Sequence, residues 1–414
     1  MNDFEIAKTI LNKIISEDIT FSAALKSVYK KFNVAPNSRS NISALLGCEL
    51  RHHYLLDNLI KRYINDVDFD STVYLRFLIT NKLFLKRFND SELYALAVKN
   101  LDKEQVDKLL EFVSSTKEII PEDMDKTSPE YLSLRFNTPA WVIRMWQKQY
   151  GKGLVFKVLK ANYRSSIQTV RVNNQLTTSF ELLDKRSDFN LSLVEDILVY
   201  TGKGSPKALE EFKQGKIFQM RMATKYVIDR MEVEPIKGIA IYSDVNNNIV
   251  FDLIARFGNN VKVDYINNHV QSFYENKKVI EERGYNGIAQ YNASSSSIIT
   301  CISRPVDSVF CLCKGTSFDS LRSAPDYFLR IKQEKLDSII KEELDALSEC
   351  SKIVERDGKL VYMVPTLSKK ESTNLIAKFL TDHEDFELVE EKQFFPFDPY
   401  DSCLYYAIIK RKSE

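Results

Sequence analysis

Six cysteines, four histidines and a set of cations near one strand are the side chains on which chemistry could rest. Cys48, Cys301, Cys311, Cys313, Cys350 and Cys403 are scattered along 414 residues. No C-x-x-C pair and no cysteine–histidine spacing matches zinc ligation, so no metal site is expected. Nothing at Met1-Asn2-Asp3-Phe4 reads as a secretory signal, which makes these reduced thiols rather than a disulfide framework. Cys311 and Cys313 stand two residues apart in an apolar run, where alternating thiols act as small apolar side chains of a buried strand. The other chemical feature is Ile167-Gln168-Thr169-Val170-Arg171-Val172-Asn173. Its alternation reads as a strand that exposes Gln168, Thr169 or Arg171. Lys152, Lys157, Lys160, Arg164, Lys203, Lys207, Lys213 and Lys216 surround it. They are a solvated face on the plain reading and a phosphate-attracting surface on the functional one.

The elements that hold these residues follow from periodicity. Phe4, Ile6, Ala7, Ile10, Leu11, Ile14 and Ile15 recur at helical spacing, as do faces in 42–60 and 73–84, so the stretch from 4 to about 112 reads as an all-α bundle. After Pro121–Pro129 a mixed region begins. From Lys237 onward strands alternate with helices: 238–242, 249–257, 261–265, 270–283, 288–291, 306–312, a long helix around 327–347, 360–364 and 371–380. A closing hairpin pairs 386–389 with 403–409. That order means βαβ units and a mostly parallel sheet. At 414 residues, two or three domains are expected. The formal charge of +1 means that any nucleic-acid binding must come from a local basic surface. No apolar run is long enough to span a bilayer, and a cytoplasmic chain is expected.

Three stretches resemble the RsmB (Sun/Fmu) family of ribosomal RNA cytosine-C5 methyltransferases. Leu45-Leu46-Gly47-Cys48-Glu49-Leu50-Arg51 with Leu55-Leu56-Asp57 is similar to the family's L-V-x-G-x-x-R…L-L-D. Thr138-Pro139-Ala140-Trp141 resembles H-P-x-W, Arg171-Val172-Asn173 resembles R-V-N, and 212–218 resembles F-x-x-G-x-x. Ala324-Pro325-Asp326, Asp357-Gly358-Lys359-Leu360-Val361-Tyr362 and Asp382–Leu388 resemble R-H-P-D, G-G-x-L-V-Y and H-P-x-F-x-L. The matches are collinear over nearly the whole chain. They imply a multidomain protein: an all-α NusB-like bundle over 1–125, a small α+β RNA-recognition subdomain with its connecting helix over 126–230, and an α/β Rossmann-type class I methyltransferase domain over 231–414.

The resemblance also implies which positions carry the chemistry. S-adenosylmethionine is the implied cofactor, but Ser243-Asp244-Val245-Asn246-Asn247-Asn248 stands where A-P-G-G-K is expected, and asparagine side chains enter the space that glycine leaves open. Asp264 falls at the ribose-binding carboxylate, and the adenine-side aspartate becomes Ala293 or Ser294. C5 methylation needs a thiolate to add at C6 of cytosine, and Pro365 occupies that cysteine's place. For D-A-P-C-S-G-T-G, a gapless alignment from Asp307 to Asp326 puts Leu312 at the aspartate and Gly315 at the cysteine. An alignment with two compensating gaps keeps Cys313 and puts Phe310 at the aspartate. RNA contact would rest on Arg171 and Asn173.

These positions lead to an rRNA-binding protein of this family, acting on small-subunit ribosomal RNA with impaired or absent catalysis and as a monomer. One alternative is an active enzyme with Cys313 as relocated nucleophile. The other is a docking module in ribosome assembly.

Overall fold

The structure is a computed structural model that describes residues 2–17, 19–65, 67–318 and 322–413. The chain divides into two compact units, Met1–Tyr163 with Ser320–Gln333, and Arg164–Asp319 with Glu334–Glu414. Residues 126–163 therefore fall in the first unit and 164–230 in the second.

The first unit is helical. Among the described residues, seven α-helices from Asp3–Glu17 to Lys103–Ser115 are followed by Pro129–Phe136, Ala140–Tyr150 and Lys152–Asn162. Of the periodic apolar residues at the start, Phe4 to Ile14 face inward while Ile15 is 40% exposed, and Ala7, Ile10, Leu11, Leu46, Leu56 and Leu59 are sealed in one core. The Gly–Arg–Asp pattern of residues 45–57 has a packing reason. Arg51 Nη1 folds back onto the Gly47 carbonyl at 3.0 Å. Asp57 pairs with the buried Arg76, whose Nη1 also reaches Glu49 at 3.2 Å. Burial would push the Glu49 carboxyl up, but His53 and Arg76 outweigh it and hold the group below its ordinary value. Where the helix Pro36–Arg51 gives way to His53–Tyr63, one side chain serves both orphaned ends. Asn137 Nδ2 donates to the Leu50 carbonyl at 2.7 Å, and Asn137 Oδ1 accepts from the Tyr54 amide at 3.1 Å.

The long helix expected around 327–347 is two elements. Tyr327–Arg330 is a single short helix of the first unit, and the long helix is Leu336–Ser351 in the second. Residues 322–330 are held by partners far away in sequence. Asp326 accepts from the Phe21 amide at 3.1 Å, Tyr54 Oη donates to the Phe328 carbonyl at 3.1 Å, and Arg322 Nη2 donates to the Ala161 carbonyl at 3.0 Å.

The second unit holds two sheets. Strands β1 (Gln168–Val172), β2 (Phe189–Leu191), β3 (Ile197–Tyr200) and β4 (Ile217–Gln219) form an antiparallel sheet in the order β2-β3-β1-β4. The larger sheet contains β5 (Ile239–Ser243), β6 (Val263–Asn267), β7 (Ile288–Tyr291), β8 (Val306–Leu312), β9 (Val354–Pro365), β10 (Phe386–Gln393) and β11 (Leu404–Arg411). Its order is β10-β11-β9-β8-β5-β6-β7, with β11 antiparallel to both neighbours and the remaining pairs parallel. This is the Rossmann-type methyltransferase arrangement that the resemblance implied. The central strands are buried runs of β-branched and aromatic residues, as strands covered on both faces must be.

Candidate functional site at the carboxyl edge of the large sheet

Open α/β sheets take ligands beyond the carboxyl ends of their strands, where the strand order reverses. Register places Ser243 of β5 beside Asn267 of β6 and Leu312 of β8, and Leu312 beside Met363 of β9. Asp244, Asn268 and Cys313 are therefore the first residues beyond their strands, while β9 runs on to Pro365, and β5 and β8 flank the reversal.

The turn after β5 is filled by its own amides. Ser243 Oγ donates to the Val245 carbonyl at 2.9 Å, and Asn247 Oδ1 caps the following helix, Ile249–Phe257, by accepting from the Ile249 amide at 3.1 Å. Asn246 Oδ1 accepts from Ser272 Oγ at 3.2 Å. Deeper in, Tyr265 Oη accepts from Asn267 Nδ2 at 2.8 Å and from Asn276 Nδ2 at 3.0 Å. Ser272 and Asn276 lie on the helix Val270–Glu282, so β5, β6 and this helix are joined by one buried polar network. Asn246, Asn247, Asn267 and Asn276 each contribute a side-chain hydrogen bond to it.

Beyond β8 and β9 lies a second network. Glu371 Oε1 accepts from the Thr316 amide at 2.6 Å, and Glu371 Oε2 accepts from Thr316 Oγ1 at 2.9 Å and Thr366 Oγ1 at 2.8 Å. Tyr362 Oη donates to the Glu371 carbonyl at 3.0 Å. Gly315 takes φ +52, and a methyl group on it would lie 2.7 Å from Glu343 Oε1 and 2.8 Å from Glu371 Oε1. Glycine is thus required both by backbone and by space. Glu343, on Leu336–Ser351, is 3% exposed. Burial, with Glu371 and Asp244 nearby, pushes its carboxyl up to about 10. Burial likewise raises Asp244 to about 7, against the opposing effect of Lys314.

No family model matches the chain. It is 21% identical over 401 residues to the Bacillus subtilis (strain 168) protein named "Probable ribosomal RNA small subunit methyltransferase B", covering 92% of this chain and 89% of that one. The chain is similar to the RsmB type along nearly its whole length. In fold it is similar to the solved protein PH0851, with a TM-score of 0.76 and 16% identity over 99% of each chain. It is also similar to a methyltransferase homolog protein from Pyrococcus horikoshii, with a TM-score of 0.60 and 14% identity, covering 70% of this chain and 99% of that one. S-adenosylmethionine is the cofactor that the RsmB-type similarity implies.

The RsmB-type positions can now be placed. Pro365 ends β9, opposite Leu404 of β11, where the attacking cysteine was expected. Cys313 follows β8, is 1% exposed and lies 3.8 Å from Cys311, sulfur to sulfur. The Cys311 contact and burial hold its thiol well above the ordinary value, which is the reverse of an activated thiolate. Both thiols pack in the apolar layer beneath the edge. Residues 319–321, inside the gapless stretch from Asp307 to Asp326, lie outside the described residues.

Asp264 is corrected by the sheet register. It is the second residue of β6, paired with Ala240 near the amino ends of both strands, and it bonds Arg304 Nη2 at 2.9 Å just ahead of β8. At the carboxyl end of β6 stands Asn267, which is buried, not Asp264. Of the two adenine-side candidates, Ala293 packs against the apolar layer beside β7 and Ser294 bonds Ser296. Their neighbour Asn292 donates to the Asn267 carbonyl at 2.7 Å.

Arg171 and Asn173 are corrected as well, because both are interior residues. Arg171 is 1% exposed, and its Nε donates to Asp252 Oδ1 at 2.6 Å. Asn173 is buried, donating from Nδ2 to the Gly215 carbonyl at 2.9 Å and accepting from the Gln175 amide at 3.1 Å. Gly215 is left-handed and lies beneath the Arg283 guanidinium, which accounts for the glycine of its motif. A phosphate cannot reach either residue without opening this packing. Thr316, Glu343, Thr366 and Glu371 were not singled out from sequence. Glu371 reads only as the polar start of the segment 371–380, and only the glycine at 315 hints at a crowded neighbour.

Among the described residues no group of three or more His, Cys, Asp or Glu is placed to hold a metal ion, and no helix is long and apolar enough to cross a membrane.

Proposed function

We propose that this chain is an RsmB-like protein that binds small-subunit ribosomal RNA in the cytoplasm and does not methylate it. The observation that carries the reading is the pairing of Thr316 and Thr366 on Glu371. Pro365 holds the attacking cysteine's place, the groups bonded beside it are hydroxyls and a carboxylate, and neither hydroxyl nor carboxylate supplies the soft nucleophile that adds to C6 of cytosine. The residues after β5 do not fit S-adenosylmethionine. Asn246, Asn247 and Ser272 are bonded into the space that a glycine turn leaves for the donor, and the register leaves no carboxylate in Asp264's expected place. Base recognition without chemistry is the remaining use of the fold.

Four measurements test this. Calorimetric titration with S-adenosylmethionine should give no saturable heat. Incubation with labelled donor and small-subunit rRNA should give no labelled cytosine, and an RNA carrying 5-fluorocytosine should form no covalent adduct. An adduct that disappears in Cys313→Ser would replace this reading with that of an active enzyme using a relocated nucleophile. RNA binding is measured separately, by salt-dependent affinity for the same rRNA. Its absence would leave the docking module in ribosome assembly.

A further inference from the structure

Aspartate and glutamate make up about one residue in seven of this chain, yet none occurs in the fifty residues from Tyr131 to Phe180, which carry eight lysines and arginines. Six of these cations precede Tyr163 and so belong to the first unit. Even at a net charge of +1, one face can then be strongly cationic. The helix Lys152–Asn162 carries much of it. Lys152, Phe156 and Lys160 recur four apart, Tyr163 follows at the helix end, and all four are exposed. At 100° per residue they share one narrow stripe. Phe156 is 41% exposed and Tyr163 49%. Both rings stand edge-on to Phe136, with centroids 5.8 and 6.0 Å away, so they are braced rather than splayed. Lys148, at the end of the preceding helix Ala140–Tyr150, is exposed as well.

We propose that this stripe is where the protein takes a single-stranded segment of RNA. The lysines attract the phosphates, and Phe156 and Tyr163 receive unstacked bases on their faces. Apolar rings left in water beside cations fit a strand that offers charge and flat surfaces together. A duplex hides its base faces, and an acidic peptide has no use for the rings. The proposal rests on the RNA-binding reading above and moves the contact away from Arg171 and Asn173.

The test is fluorescence anisotropy with a labelled single-stranded oligoribonucleotide of mixed sequence, using the full chain and two exposed double variants. Phe156→Ala with Tyr163→Ala should weaken binding about tenfold and leave its salt dependence unchanged. Lys152→Glu with Lys160→Glu should weaken it at least as much and flatten the salt dependence. The lysine variant should melt with the parent, and the ring variant, which gives up its contacts to Phe136, should melt lower but be folded at the assay temperature. If the parent binds and both variants bind equally well, this surface is wrong while the RNA-binding reading stands. If the parent does not bind, both fall. If polyglutamate displaces the RNA and binds the ring variant as well as the parent, the stripe serves an acidic polypeptide instead.

Discussion

Arg171 on β1 and Asp252 on the helix after β5 meet at 2.6 Å with both side chains sealed from water, joining the small sheet to the first helix of the large one. Without Arg171, Asp252 keeps only Arg256, whose Nε lies 2.6 Å from its other oxygen, and Oδ1 loses its buried donor. Arg171→Ala should therefore cost about 3 kcal/mol in urea unfolding. Arg171→Met combined with Asp252→Leu should cost clearly less. Equal losses would show that the cost does not come from the charge left without its partner. The RNA affinity of whatever Arg171→Ala protein remains folded should match the parent.

Glu343 makes stability depend on pH in a defined direction. Its folded carboxyl is held at about 10, above its ordinary 4.5, so the folded state binds its proton more tightly than the unfolded chain does. The stabilisation is complete below pH 4.5 and is lost as pH rises through about 10. Inside that window each pH unit costs about 1.4 kcal/mol from this group alone. Asp244, raised to about 7, acts in the same direction at lower pH. Glu343→Gln should melt above the parent at pH 9, with the gap closing toward pH 5. A gap that does not vary with pH would refute the assignment.

Native thiols should sort by burial. Cys301 is half-buried, whereas Cys311, Cys313 and Cys350 are enclosed. Iodoacetamide at neutral pH should label Cys301 well before those three, as read by peptide mass spectrometry, with the enclosed thiols appearing only on unfolding. Fast labelling at Cys313 would contradict its position under the edge.

Gly315→Ala combines a left-handed backbone with the Glu343 and Glu371 oxygens, and it should lower stability by about 2–4 kcal/mol. Thr366→Val removes one donor from a buried carboxylate and should cost about 1–3 kcal/mol. Thermal melts of both variants decide the matter. A melting point unchanged in Thr366→Val would mean that water replaces the hydroxyl.

The large sheet was legible because strands covered on both faces must be apolar throughout. The strand Val306–Leu312 stands where its apolar run puts it. Asp264 was misplaced because a run of apolar residues does not reveal its register. β6 begins at Val263 rather than Val261, so the aspartate opens the strand instead of closing it. Arg171 looked exposed because alternation speaks only for its own strand, while the burial comes from Asp252, eighty-one residues on. The break after Arg330 was invisible for a similar reason, since helical spacing continues across it and the partners Phe21 and Tyr54 lie about three hundred residues earlier. The cationic stripe was within reach. Counting acids alongside lysines would have marked Tyr131–Phe180.

The return of residues 322–333 to the first unit sets an order of events during synthesis. Domains usually fold as they emerge, amino end first. Here the helices up to Tyr163 are made early, but the Phe21 amide waits for Asp326 and the Tyr54 hydroxyl for the Phe328 carbonyl, and the whole stretch Arg164–Asp319 is translated in between. The first unit is begun first and finished late, and a fragment cut after Tyr163 is an incomplete body rather than a free-standing domain.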